Sequence, residues 1–160
     1  TERIFPTLAK HMYPRRPTIQ WEQGSRDFFL MRLADAYLMR AEMRLKLNKF
    51  PESLADINVI RTRSAKPGRV AQNQALLTQL NLDFILDERM MEFDGEQNRW
   101  FDLVRTGTLV ARTKANNPQS TGVQPFHMKR PIPLTQIDRT QPQGSYPQNC
   151  GYPGGVCSGG

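Results

Sequence analysis

The chain has 160 residues, with 22 Lys and Arg against 15 Asp and Glu, so its formal net charge is +7. Hydrophobic residues make up 38% and charged residues 23%, which is typical of a single globular domain and excludes a disordered chain. No run of 18 apolar residues occurs, so no membrane-spanning helix is predicted. The basic residues are spread from Arg3 to Arg139 among carboxylates, which favours a solvated surface over a nucleic-acid-binding one.

The first 25 residues predict an irregular segment that belongs to a longer protein. They begin without an initiator Met or a hydrophobic signal core. Pro6, Pro14, Pro17 and Gly24 interrupt them, and no helical or strand periodicity is present.

A helical hairpin is predicted over residues 27–65. Its first helix, from about Asp27 to Lys46, carries apolar residues at steps of three and four: Leu30, Ala34, Leu38, Ala41 and Leu45. Pro51 suits the first turn of the second helix, which is expected to end near Ser64. Cations near that end complement the helix dipole, so a solvated basic face is predicted for Arg61, Arg63, Lys66 and Arg69.

The hairpin has the residue spacing of a tetratricopeptide-like repeat. Ala41 and Ser53 are small enough for two helices to approach closely, and Phe50 is expected to pack at the turn. No second copy of the pattern is visible in the chain, so an ordinary helical hairpin explains the spacing equally well.

A second helix pair is predicted over residues 78–107. Thr78 is a suitable N-cap for the third helix and Gly95 suits its C-terminal end. One face of that helix is expected to be buried: Leu82, Ile85, Leu86, Met90 (or Arg89) and Phe93. A short fourth helix ends at Gly107, with one more turn around Leu109.

Residues 115–160 predict an irregular strap and tail packed over the helices. They hold seven of the twelve prolines and seven of the eleven glycines, and no helical pattern is evident. Cys150 and Cys157 are spaced so that a small disulfide loop can form in an oxidising compartment. The predicted fold class is therefore all-α, with helical hairpins and an irregular Pro/Gly-rich C-terminal segment.

Two carboxylates, Glu88 and Glu92, lie four residues apart on the third helix. Such a pair could cleave a glycosidic bond if a sugar lay between the two groups. Arg99 and Arg105 follow on the next helix, however, and a structural ion-pair network with these arginines is the favoured interpretation.

Few other residues suggest chemistry. His11 and His127 have no Cys, Asp or Glu at metal-ligand spacing, so no metal, cofactor or catalytic residue is predicted. Tyr13 and Trp21 lie beside Arg15 in the irregular N-terminal segment, and their rings could stack on sugar faces. Packed anchors are the commoner role for such aromatic residues in loops.

Three stretches of the chain, in order, resemble the C-terminal domain of the SusD/RagB family of outer-membrane nutrient-binding lipoproteins. They are the hairpin at 25–65, the segment 85–107 with its DERMMEF and RWFDLVRTG motifs, and RPIPLTQID at 130–138 followed by a Gln-Asn…Gly-Tyr ending at Tyr152. The motif residues are Glu88, Arg89, Glu92, Arg99, Trp100, Phe101 and Arg105. Residues 114–124, Cys150 and the tail 153–160 depart from the family pattern.

The resemblance implies an all-helical scaffold and a non-catalytic protein. It implies a surface lipoprotein of the outer membrane, anchored through a lipidated cysteine upstream of this chain, that takes part in glycan uptake. Such proteins bind an oligosaccharide or other nutrient and act with a SusC-like TonB-dependent transporter. The alternative is a purely structural or protein-interaction module without a ligand site. On either view Trp100 and Phe101 are expected to be buried where the third and fourth helices cross, and Ile132 and Leu134 to hold the C-terminal strap.

Overall fold

The structure is a computed structural model. It describes residues 29–142 and 145–157 together with six isolated positions: Lys10, Arg15, Pro17, Thr18, Gln20 and Asp27. Over these residues the regular structure is helical, without a β-strand, and one isolated bridge joins Gln148 to Gly155. The all-α prediction is confirmed.

The described residues form seven α-helices and two short 3-10 turns. The helices are α1 (Leu33–Lys46), α2 (Phe50–Ser64), α3 (Val70–Asn73), α4 (Leu82–Glu92), α5 (Arg99–Arg105), α6 (Leu109–Asn116) and α7 (Leu134–Arg139). The 3-10 turns are Leu77–Gln79 and Pro125–Met128. None of these helices has the length and apolar character needed to cross a membrane.

The chain divides into two compact units, an N-terminal unit (Thr1–Arg99) and a C-terminal unit (Trp100–Gly160). In the N-terminal unit, α1 packs against α2 and α4 around one apolar core. The buried members of that core are Ala34, Leu38, Ala41, Ile57, Ile60, Ala75, Ile85 and Phe93. Of the predicted apolar positions, Ala34, Leu38, Ala41, Ile85 and Phe93 are therefore in the core, whereas Leu30 and Met90 are exposed.

The turn between α1 and α2 depends on three local features. Asn48 adopts a positive φ of 58°, a conformation that Asn tolerates better than most residues, and Pro51 lies in the first turn of α2. Ser53 is fully buried, and its hydroxyl donates to the Ala41 carbonyl at 2.7 Å, which confirms the predicted close approach of the helices. The prediction for Phe50 is wrong, since its side chain is exposed.

Two helices begin later than the sequence pattern indicated. The first was expected from Asp27, but Arg32 is in an extended conformation and α1 starts at Leu33, which leaves Leu30 exposed. The third helix was expected from Thr78, but that residue lies in a 3-10 turn. The N-cap of α4 is Asn81, whose side-chain oxygen accepts a hydrogen bond from the Phe84 backbone N–H at 2.8 Å.

The C-terminal unit contains more regular structure than predicted. Residues 115–160 include the two-turn helix α7, and the proposed anchor Leu134 is 69% exposed at its start. The helix follows Pro133, whose fixed φ suits the residue before a first turn. Ile132 is held instead by the Gln148 side chain, which accepts from its backbone N–H at 2.7 Å and donates to its carbonyl at 2.8 Å.

The end of the C-terminal unit is closed by a disulfide between Cys150 and Cys157. Inside that loop Gly151 has a φ of 93°, and a Cβ atom there would lie 2.2 Å from Cγ of Phe126. The Phe126 ring also makes an edge contact with Tyr152, at 5.0 Å between ring centroids. A glycine is therefore required for the chain to pass this close to the Phe126 ring.

Candidate functional site

The motif carboxylates of α4 are paired with arginines, but not with the predicted ones. Glu88 is 5% exposed, and its carboxylate accepts two hydrogen bonds from Arg61, at 3.0 Å from Nε and 2.5 Å from Nη2. One oxygen of Glu92, Oε1, accepts from both Arg32 and Nη2 of Arg63, the latter at 2.5 Å. Arg61 is therefore half-buried and structural, which corrects the prediction of a solvated basic face at that position.

The predicted partners, Arg99 and Arg105, bind elsewhere. Arg99 donates to the Leu86 carbonyl at 2.7 Å and lies 3.9 Å from Asp87. Arg105 pairs with Asp102, three residues earlier on α5, at 2.9 Å. Glu88 and Glu92 do form ion pairs, but the assignment of Arg99 and Arg105 to them is wrong. The guanidinium groups beside these carboxylates come from α2 and from Arg32, the N-cap of α1.

Two more charged residues, one on α4 and one after its end, are also paired. Arg89 is buried and donates to Asp35 of α1 at 2.7 Å, and Glu96 accepts from both Arg32 and Lys10 at 2.8 Å. Burial of Glu96 would by itself raise the pKa of its carboxyl, but the hydrogen bonds from Arg32 and Lys10 outweigh burial and hold that pKa below its usual value.

This arrangement favours a structural role over acid–base chemistry. Glu88 and Glu92 line a small depression of about 200 Å³, so a cavity beside them exists. Both carboxylates are already occupied by guanidinium donors within the protein, whereas a glycosidase places its two carboxyl groups on either side of the glycosidic bond. Among the described residues no three His, Cys, Asp or Glu side chains group as a metal site.

The aromatic pair of α5 is more exposed than predicted. Trp100 is partly buried, but Phe101 is 58% exposed, so its assignment to the interior is wrong. The two rings meet edge to face at 5.3 Å, and the guanidinium of Arg130 lies over both, 4.3 Å from the Trp100 centroid and 5.6 Å from that of Phe101. Nothing in the sequence pattern indicated that Arg130 and Trp100 would meet, since 30 residues separate them.

Trp100 also lines an open groove of about 500 Å³ in the C-terminal unit. Side chains able to hydrogen-bond contribute to its wall: Thr113, Gln119, Ser120 and His127. Leu109 and Val123 supply apolar surface beside the indole. An aromatic ring with hydroxyl, amide and imidazole groups around it matches the surface of a sugar, which has apolar C–H faces and hydroxyl edges.

The sugar-contact residues proposed from the sequence are not tested by the structure. Tyr13 and Trp21 lie outside the described residues, and Arg15 is an exposed residue in a turn. Their role remains a prediction.

The chain is similar to proteins of one family. Residues 6–152 match the model described as the SusD family. A SusD-like protein, P25, of Formosa agariphila is 34% identical over 112 residues, which cover 68% of this chain and 21% of that protein. The starch-binding protein SusD of Bacteroides thetaiotaomicron is 32% identical over 131 residues, 79% of this chain and 22% of that protein. The chain spans about a fifth of the length of these relatives, and no solved structure gives a significant match.

Proposed function

Because the chain belongs to the SusD family, we propose that the protein containing it binds glycans or related nutrients at the cell surface and delivers them to a SusC-like TonB-dependent transporter. The observation that carries the proposal is the family match over nearly the whole chain. The relative from Bacteroides thetaiotaomicron is named as starch-binding, which makes an oligosaccharide the first ligand class to test.

We propose further that this protein does not cleave its ligand. The most specific motif of the chain contains two carboxylates, and the oxygens of both accept hydrogen bonds from arginines of the N-terminal unit. Those contacts hold α4 against its neighbours. A binding protein needs such a scaffold, whereas a hydrolase needs two carboxyl groups that are free to reach both sides of the glycosidic bond.

The disulfide supports a location outside the cytoplasm. Disulfides such as Cys150–Cys157 persist in oxidising compartments and at cell surfaces, and they are rare in the reducing cytosol. An outer-membrane surface lipoprotein, anchored through a segment outside this chain, fits that environment.

Titration of the full-length protein with oligosaccharides tests the binding proposal. Isothermal titration against a panel that includes malto-oligosaccharides should give saturable heat with at least one glycan. A protein that binds nothing in a broad glycan and peptide panel would overturn it. Deletion of the gene should also lower uptake of the bound glycan by cells, because delivery to the transporter would be lost.

Hydrolysis is tested separately with labelled glycans. Wild-type protein and the Glu88→Gln variant should both release no new reducing ends. Release by the wild type that disappears in Glu88→Gln would replace the binding proposal with a glycosidase.

A second candidate, a structural and protein-interaction module, is supported by the outer face of α1. Opposite the buried Ala34–Leu38–Ala41 face, this helix exposes Leu33, Met39 and Met43, and Leu47 is exposed directly after its end. A helix that is apolar on two sides is commonly covered on both. On this view, Met43→Gln should destabilise the full-length protein. Substitutions in the Trp100 groove should leave glycan binding unchanged.

A further inference from the structure

The Trp100 indole contacts the Arg130 guanidinium and also lines a groove in the C-terminal unit. The guanidinium of Arg130 lies over the ring, and the same indole forms part of the groove wall. A cation over an aromatic ring is attracted to the negative face of that ring. The contacts with the two rings therefore keep the Arg130 guanidinium beside Trp100.

Arg130 has no acidic partner among the described residues. Its side chain is exposed, whereas Arg105 of the same unit pairs with Asp102. Residues 100–160 carry six Lys and Arg against two Asp, so this unit has a positive charge that it does not neutralise internally. The N–H donors of Arg130 are available to a ligand.

The groove supplies donors and acceptors suited to hydroxyl groups. The Gln124 backbone N–H donates to Nδ1 of His127 at 2.8 Å, and the same imidazole is part of the groove wall. Ser120, Thr113 and the amide of Gln119 add groups that both donate and accept.

We propose that this groove is a binding site for an acidic sugar, one that bears a carboxylate or a sulfate. The ring of the sugar lies in the groove against Trp100, and its acidic group accepts hydrogen bonds from Arg130. The inference rests on the proposed function, glycan binding, and adds to it a site and a ligand class.

The Arg130 guanidinium favours an acidic sugar over a neutral one. Hydrogen bonds between a guanidinium and an oxyanion are stronger than those between neutral groups, and the planar fork matches both carboxylate and sulfate oxygens. A neutral sugar would satisfy the hydroxyl-binding groups of the groove but would leave the Arg130 charge uncompensated. Carboxylated and sulfated sugars share this chemistry, and the experiment separates them.

The test is isothermal titration of the full-length protein with three ligands: oligogalacturonate, a sulfated galactan oligosaccharide and a neutral galactan oligosaccharide. At least one acidic ligand should bind, and Arg130→Gln should weaken its binding by about tenfold or more, as expected for loss of a charge-assisted hydrogen bond. Arg130→Lys keeps the charge without the fork and should retain part of the affinity. Arg139→Gln removes an equivalent exposed charge on α7, outside the groove, and should change affinity less than about twofold.

Ser120→Ala and Gln119→Ala test the groove without touching the aromatic stack. Each should weaken the acidic ligand by about threefold or more, because one hydrogen bond is lost. If melting curves show that Arg130→Gln is unfolded, the Ser120→Ala and Gln119→Ala affinities decide whether the groove binds the ligand. Equal losses in Arg130→Gln and Arg139→Gln, or unchanged affinity in both groove variants, would overturn the site.

The outcomes also separate this inference from the proposed function. If the protein binds neutral glycans and neither acidic ligand, glycan binding stands and the acidic-sugar site is wrong. If it binds no glycan of any kind, both fail.

Discussion

The two units of the chain are stabilised by different means. The N-terminal unit has a continuous apolar core between α1, α2 and α4, and the buried carboxylates of Asp56 and Glu88 are paired across those helices. In the C-terminal unit the apolar residues that are fully or nearly buried are Leu103 and Leu109 among those described. Its longer connections are held by the Gln148 amide, by ring contacts around Phe126 and by the disulfide.

This difference shows where each unit can vary. A core of interlocking helices loses stability with almost any change in side-chain volume, since its packing is dense. A segment held by a few specific contacts tolerates substitutions between those contacts. Gln119, Ser120, Gly122 and Val123 lie in the second kind of region and contribute to the wall of the Trp100 groove.

The largest expected effect is in the N-terminal core. Leu38 is fully buried on α1, so Leu38→Ala removes packed methyl groups and leaves a cavity. The free energy of unfolding should fall by about 3–5 kcal/mol in chemical denaturation. Leu33→Ala is the matched control, because Leu33 is on the same helix and 71% exposed; its effect should stay below about 1 kcal/mol. Similar losses in both variants would show that α1 is not oriented as described.

The second effect concerns the buried ion pair. Glu88→Gln leaves Arg61 without its bidentate acceptor and should cost about 3 kcal/mol of unfolding free energy. Asp87→Asn changes the neighbouring, more exposed carboxylate, which lies 3.9 Å from Arg99, and should cost less than about 1 kcal/mol. If Glu88→Gln is as mild as Asp87→Asn, the pair does not hold α2 against α4.

The sequence predicted the contents of the N-terminal core better than its electrostatics. The spacing of Ala34, Leu38 and Ala41 follows directly from helical periodicity, and all three are buried. The partners of Glu88 could not be predicted in this way, because they depend on which helix packs beside α4. Periodicity describes one helix at a time and carries no information on the angle between helices.

The C-terminal unit was harder to predict for a related reason. The short helix α7 has two turns and lies between prolines and glycines, so no apolar period is long enough to be recognised. The burial predicted for Phe101 was wrong because large aromatic residues are usually buried, and the sequence does not indicate a neighbour such as Arg130 that covers a ring from outside.

The C-terminal unit offers a test with two glycines in one loop. Gly151→Ala places a Cβ atom 2.2 Å from the Phe126 ring at a φ of 93°, so the ring must move and the backbone is strained. Gly154→Ala has a comparable φ of 79° with nothing within 4 Å of the added carbon. The first should cost about 2–3 kcal/mol and the second about 1 kcal/mol, measured by thermal unfolding. Equal costs would show that backbone strain alone, and not the Phe126 contact, requires the glycine.

The smallest effect is the pH dependence contributed by Glu96. Its pKa in the folded protein is below the ordinary value of about 4.5, so the unfolded chain binds more protons at acidic pH. The stability that Glu96 contributes is present above that ordinary value and is lost as the pH falls through the folded pKa. Glu96→Gln should therefore be less stable than wild type by about 1 kcal/mol at pH 7, with the difference shrinking at pH 3.

Glu52→Gln serves as the control for that pH series, since Glu52 is an exposed carboxylate in the first turn of α2. Its difference from wild type should stay within about 0.5 kcal/mol at both pH values. A Glu96→Gln difference that is the same at pH 3 and pH 7 would mean that Arg32 and Lys10 do not stabilise the ionised carboxyl. In that case the Arg89–Asp35 pair would be the main ionic contact between α4 and α1. Asp35→Asn would then lower the free energy of unfolding more than Glu96→Gln.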